Sequence, residues 1–172
     1  MSIAVALLVL RVVAGLIMAA HGAQKLFGWW GGPGLTGWTS AMERMRIRPA
    51  PGWAWIAALS EFGGGLMFAL GLASPLGSFA IAGAMMVAIS LVHWSKGLWN
   101  SKGGYEFNLS LLAAAAAVAL AGPGAYSLDA GLGIRLPEPA MLITGPVGTI
   151  ALVAVAVLTR TPLQPAAESQ PA

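Results

Sequence analysis

The sequence of 172 residues contains no cysteine. That removes disulfides, thiolate nucleophiles, iron–sulfur clusters and thiolate zinc sites together. Any redox role therefore falls to a bound group, a substrate or another subunit. Charge is scarce as well: Asp, Glu, Lys and Arg make up 9% of the chain, against about a quarter in a soluble domain. So few charges cannot cover a water-facing surface, and the outer surface is expected to face lipid. The two histidines are too few to argue for a haem or a metal centre. The net charge of +3 implies no nucleic-acid partner, because the basic residues form no stripe on a polar face. They sit in short loops, where they suit anionic lipid head groups. The first residues lack a basic stretch, and Arg11 interrupts the apolar run that a cleaved leader would need. The first segment is therefore expected to stay as a helix.

What the chain does have is apolar length, with hydrophobic residues at 58%. About 20 apolar residues cross the hydrocarbon layer as a helix. Runs that meet this need lie at 3–27, 53–72, 75–94 and 105–121, and a further run at 140–158 predicts a fifth span. Gly145-Pro146 is expected to kink that last helix. Between the first two spans, residues 35–45 mix apolar and polar side chains and predict a short helix lying in the interface. Ala73-Ser74-Pro75 is so short a turn that spans two and three must lie antiparallel and adjacent. The fold class expected is all-α, a transmembrane four-helix bundle with an additional C-terminal fifth helix. Residues 1–129 form the core, 130–160 a linker and the fifth helix, and 161–172 a disordered tail rich in Pro, Ala and Gln.

Five crossings place the loop after span one, the loop after span three and the end of span five on one side. That side carries Arg44, Arg46, Arg48, Lys96, Lys102 and Arg160, and the opposite loops carry Arg135. The bias of basic residues predicts a multi-pass cell-membrane protein with these loops in the cytoplasm and the N-terminus outside.

Ionisable groups inside spans cost about 2.5–3.5 kcal/mol each on insertion scales, so they tend to mark function. Arg11, His21 and Lys25 lie on span one, Glu61 on span two, His93 at the end of span three and Glu106 at the start of span four. At about 100° per residue, Arg11, His21 and Lys25 share a face within roughly 80°. His21 and Glu61 reach similar depths from the same side. These residues are expected to converge on one polar pocket in that half of the bilayer. A bland alternative exists for each: Lys25 snorkelling to the interface, His93 as an interfacial residue, Glu106 as a helix N-terminal charge, and Arg11 with Glu61 as a structural pair.

The stretch His21-Gly22-Ala23-Gln24-Lys25-Leu26-Phe27-Gly28-Trp29-Trp30-Gly31-Gly32-Pro33-Gly34 resembles the hallmark of the DoxX family. So do Arg11 upstream, Glu61 followed by Gly63-Gly64-Gly65, His93 with Gly103-Gly104-Tyr105-Glu106, and the run from Gly122-Pro123-Gly124 to Asp129. The resemblance implies a four-helix membrane bundle and an association with quinone-linked oxidation. On that basis the chain is expected to be a quinone-interacting subunit. His21, Lys25, Glu61, His93 and Glu106 would handle protons and hydrogen bonds, and Arg11, Trp29, Trp30, Phe62 and Trp94 would bind or line the site. No redox cofactor is encoded; quinone is the group implied. The partners expected are the lipid bilayer, an oxidoreductase subunit and a second copy of the chain. The competing readings are a small transporter or proton conduit, an assembly subunit, and a purely structural polar cluster.

Overall fold

A computed structural model describes residues 2–160; the tail expected at 161–172 lies outside the described residues. Seven α-helices carry the described chain: α1 (Ser2–Phe27), α2 (Gly34–Arg44), α3 (Ala50–Leu70), α4 (Ser74–Ala88), α5 (Glu106–Ala121), α6 (Leu128–Leu132) and α7 (Glu138–Leu158). Four helical stretches are long and apolar enough to cross a membrane: Ile3–Phe27, Ala50–Leu70, Ser74–Lys96 and Ala140–Leu158. The bundle is therefore all-α, as composition demands. The helix expected as the fourth span, α5, has 16 residues, or about 24 Å at the usual rise. The extra C-terminal helix, α7, has the full length, and the kink expected at Gly145-Pro146 does not interrupt it. The third stretch does not stay α-helical to its end. Ile89–His93 form a π turn and Trp94–Lys96 a tight turn, a change of winding that turns His93 off the α-helical face of its neighbours.

Small residues set the packing, as they do where helices meet without a hydrophobic drive between them. A methyl on Gly15 would stand 2.6 Å from the Gly65 carbonyl and the Ala69 nitrogen, and a methyl on Gly22 would collide with the Phe62 backbone. The rising numbers on α1 meet falling numbers on α3, so the two helices are antiparallel. Gly77 and Gly64 perform the same service between α3 and α4. Gly145 seats the ring of Phe79, and Thr149 lies against Gly83, so α7 runs parallel to α4. α4 thus stands between α3, α5 and α7.

Met18, Phe68, Ile81, Met85, Leu111, Ala115 and Val118 fill the middle of the bundle. A second cluster of Met42, Ile47, Ala50 and Ala54 lies under α2, with Leu35, Trp38 and Met45 packed on it. Outward faces are aliphatic: Ile143, Val147 and Ile150 on α7, and Val5, Val9 and Val13 on α1, are exposed. In water such bands would be patches far larger than monomers tolerate; in acyl chains they are at home. The end of α7 is tied to the loop before α3. The Arg48 N–H donates to the Thr159 carbonyl (3.3 Å), and Ile47 and Arg160 form an antiparallel bridge. Arg44, Arg46, Arg48 and Arg160 therefore share one end of the molecule.

Candidate functional site

The site is built on a buried ion pair. Glu61, halfway along α3, is level with Gly22, whose missing side chain lets α1 and α3 close together. Lys25, one turn beyond Gly22, reaches back and donates from Nζ to Glu61 Oε1. Its side chain is 20% exposed and that of Glu61 6%, so Lys25 is engaged inward rather than snorkelling. Nζ also lies 4.3 Å from the centre of the Trp38 ring, a cation–π contact that gains strength where water is excluded. Two buried polar atoms beside this pair have no partner: Glu61 Oε2, an acceptor, and Trp38 Nε1–H, a donor. Buried polar atoms in proteins are nearly always satisfied. Their cost here is explained if something else satisfies them.

Two cavities meet at this pair. The larger, about 420 Å³, is lined by His21, Lys25, Trp38, Glu61, His93 and Asn108 among others. His21 is exposed and sets its ring edge-on to Phe107, with centroids 5.7 Å apart. His93 Nδ1–H donates to the Gly103 carbonyl (2.7 Å), which leaves Nε2 as the open ring nitrogen. Asn108 donates to Met85 Sδ at 3.5 Å. Exposed residues at the rim, His21 and Phe107 on the flank and Asn100 in the loop, mark where this cavity opens. The second cavity, about 120 Å³, is apolar and lies between α2, α3, α4 and α7; Lys25, Trp38 and Glu61 belong to both linings.

His21, Lys25, Glu61 and His93 thus surround one space near the basic end. Arg11 does not join them, although it shares their helical face. Ten residues separate it from His21, roughly 15 Å along the axis, and the shared angle says nothing of that distance. Arg11 is fully buried at the other end, where Nη2 donates to the Tyr126 carbonyl (2.6 Å) and the guanidinium lies over Gly71. Asp129 sits in the same end and accepts from the Ala73 and Ser74 N–H groups (2.8 and 2.9 Å), capping α4. Glu106 does not line the cavity; its Oε1 accepts from the Asn100 N–H (2.9 Å) and orders the loop before α5. The expected lining aromatics also stand apart. Trp29 and Trp30 are exposed and pack edge to face, Trp94 stacks on Tyr105, and Phe62 meets Phe27. They form an outer aromatic fringe at this end.

Trp38 and Asn108 were not legible as site residues. For Trp38 a signal exists: Leu35, Trp38, Met42 and Met45 recur at helical spacing, which makes one face of α2 apolar and turns it onto the bundle. Asn108, one of three polar residues in the first turns of an otherwise apolar helix, carried a weaker sign of the same kind.

The sequence model of the DoxX family matches residues 6–94, just over half of the chain. No curated protein and no solved structure matches. The matched region contains α1 to α4 with Arg11, His21, Lys25, Trp38, Glu61 and His93, and α5 to α7 lie beyond it. On this match, and on four helices with the length and hydropathy of membrane spans, the chain belongs to the DoxX family and is a multi-pass integral membrane protein.

Proposed function

We propose that the chain is a quinone-interacting subunit of a membrane oxidoreductase, with the head group bound beside Lys25 and Glu61. The observation that carries this reading is the pair of unpartnered buried atoms, Trp38 Nε1–H and Glu61 Oε2, which belong to two residues that line the 420 Å³ cavity. One donor and one acceptor, set in an apolar lining, match a ring whose oxygens accept hydrogen bonds when oxidised and donate them when reduced. An apolar cavity near 150 Å³ already takes one benzene ring, so the space suffices for a head group. Small-molecule sites commonly combine apolar walls with a few convergent polar groups in this way.

A bound quinone supplies a two-electron, two-proton couple, the electrons coming from a partner oxidoreductase subunit. Trp38 Nε1–H and the Lys25 ammonium donate to carbonyl oxygen and hold the ring. Glu61 Oε2 accepts the hydroxyl hydrogen of the reduced form. His93, through Nε2, and the exposed His21 exchange protons between the cavity and the basic end. A proton or small-solute conduit across the membrane would need polar groups through the middle of the bundle. That middle is filled by Met18, Phe68, Ile81 and Met85, which favours the quinone reading.

Titration of the purified full-length protein in lipid nanodiscs with a water-soluble benzoquinone tests it. Glu61→Gln removes the carboxylate and Trp38→Phe the donor; each should weaken binding about tenfold, the equivalent of roughly 1.4 kcal/mol for one well-placed hydrogen bond. Absence of saturable binding by the unmodified protein, or equal binding by all three, defeats the proposal.

A further inference from the structure

Resting on that reading, we infer that the ligand at Lys25–Glu61 carries an apolar substituent, an isoprenoid or alkyl chain, and that α7 forms the wall that selects for it. The starting point is the second cavity. At about 120 Å³ it is close to the size of dry apolar cavities that accept a benzene-sized group. Met42, Ile47, Ile56, Leu91, Val153 and Ala156 line it. Its ionisable residues, Lys25 and Glu61, belong also to the polar cavity. A head group beside Glu61 therefore has an apolar recess directly behind it.

α7 is otherwise a helix on the outside of the bundle. Among its described side chains Ala156 alone is buried, 1% exposed, and it lines the recess together with Thr149, Leu152 and Val153. The recess is closed toward the basic end by Ile47, 2% exposed, which the bridge to Arg160 holds in place. It is open on its flank: Ile56 of α3 and Leu152 of α7 both line it and are themselves exposed. A chain longer than the recess can leave between α3 and α7 into the acyl layer. A ring without a substituent leaves the recess empty and forgoes that apolar burial. The family match ends at residue 94, so this wall lies outside the matched region and serves specificity rather than the head-group chemistry.

The test compares two probes in nanodiscs: a benzoquinone bearing one ten-carbon alkyl chain and the same ring without it. Partitioning of the alkylated probe into the bilayer is common to every variant and cancels when variants are compared. Ala156→Phe fills the recess, and Val153→Trp, on the same wall, provides a second variant should the first misfold. In each, the preference for the alkylated over the bare probe should fall fivefold or more relative to the unmodified protein. A preference within twofold of the unmodified protein in the folded variants overturns the inference, even with the bare ring still bound and the head-group reading intact. Failure of the unmodified protein to bind the bare ring overturns both.

Discussion

At the scale of single residues, the Lys25–Glu61 pair decides both stability and chemistry. An ion pair taken out of water is marginal in net stability, but breaking it leaves one charge buried without compensation, at a cost of about 3–5 kcal/mol. Lys25→Met should therefore lower the unfolding temperature of the detergent-solubilised protein sharply. Lys25→Met combined with Glu61→Gln should recover most of that loss without recovering quinone binding. A Lys25→Met protein as stable as the original would show that the pair does not anchor the bundle. Glu61, Lys25, His21 and His93 were legible as a group because depth from a common membrane side can be counted along antiparallel helices. Arg11 stands apart from them because a shared helical angle carries no information about the rise between residues. Its actual environment, the Tyr126 carbonyl, Gly71 and the neighbouring Asp129, joins residues more than a hundred positions apart, which no local pattern connects. Asp129 has a structural task of its own there. It accepts from Ala73, whose φ of 45° is left-handed for a residue with a side chain, and so holds a turn that would otherwise cost about 1–2 kcal/mol.

At the scale of elements, glycine position rather than glycine number governs the helices. Gly22 and Gly63 both lie in helices of the bundle, yet a side chain at Gly22 would enter the Phe62 backbone while Gly63 has open space around it. Gly22→Ala should cost at least about 2 kcal/mol through forced separation of α1 and α3. Gly63→Ala should be neutral or gain up to about 1 kcal/mol from helix propensity. Parallel chemical unfolding in mixed micelles measures both, and equal effects would contradict the close α1–α3 crossing. The extent of the spans followed from hydropathy alone, because lipid demands about 20 apolar residues whatever the partner helix. Their exact lengths did not. α4 gives way at Ile89 to a π turn, short of the expected end near Trp94, whereas α5 starts within one residue of its apolar run, after a loop ordered by Glu106 and by the Gly97 and Leu98 carbonyls, which accept from the Tyr105 and Glu106 N–H groups. α2 shows the limit from the other direction. Its mixed composition suggests a helix lying in the interface, and only packing reveals that its Trp38 face closes the site.

At the scale of the whole molecule, the bridge between Ile47 and Arg160 fixes which ends lie together. With the basic loops at that end, the charge bias favours placing it in the cytoplasm. A chain without native cysteine is well suited to a direct check with a membrane-impermeant thiol reagent. Cysteines replacing Arg44 and Lys102 should be modified from the cytoplasmic side, and one replacing Arg135 from the opposite side. With Lys102→Cys modified from the cytoplasmic side, modification of Arg44→Cys and Arg135→Cys from the same side would break the alternation of crossings and exclude α5 as a span.

The sequence by itself determined the all-helical membrane bundle, the approximate spans, the common end of the basic loops and the polar residues that needed explaining. Those properties follow from transfer free energy and chain connectivity, which act on each segment separately. Tertiary structure decided which polar groups meet. Lys25 rather than Arg11 pairs with Glu61, because Gly22 brings α1 against α3 at that level. Trp38 closes the wall, because α2 folds its apolar face back onto the bundle. The recess under α7 exists because a helix from the far end of the chain packs beside α4. Each of these depends on the distance between segments remote in sequence, a quantity that no single segment carries.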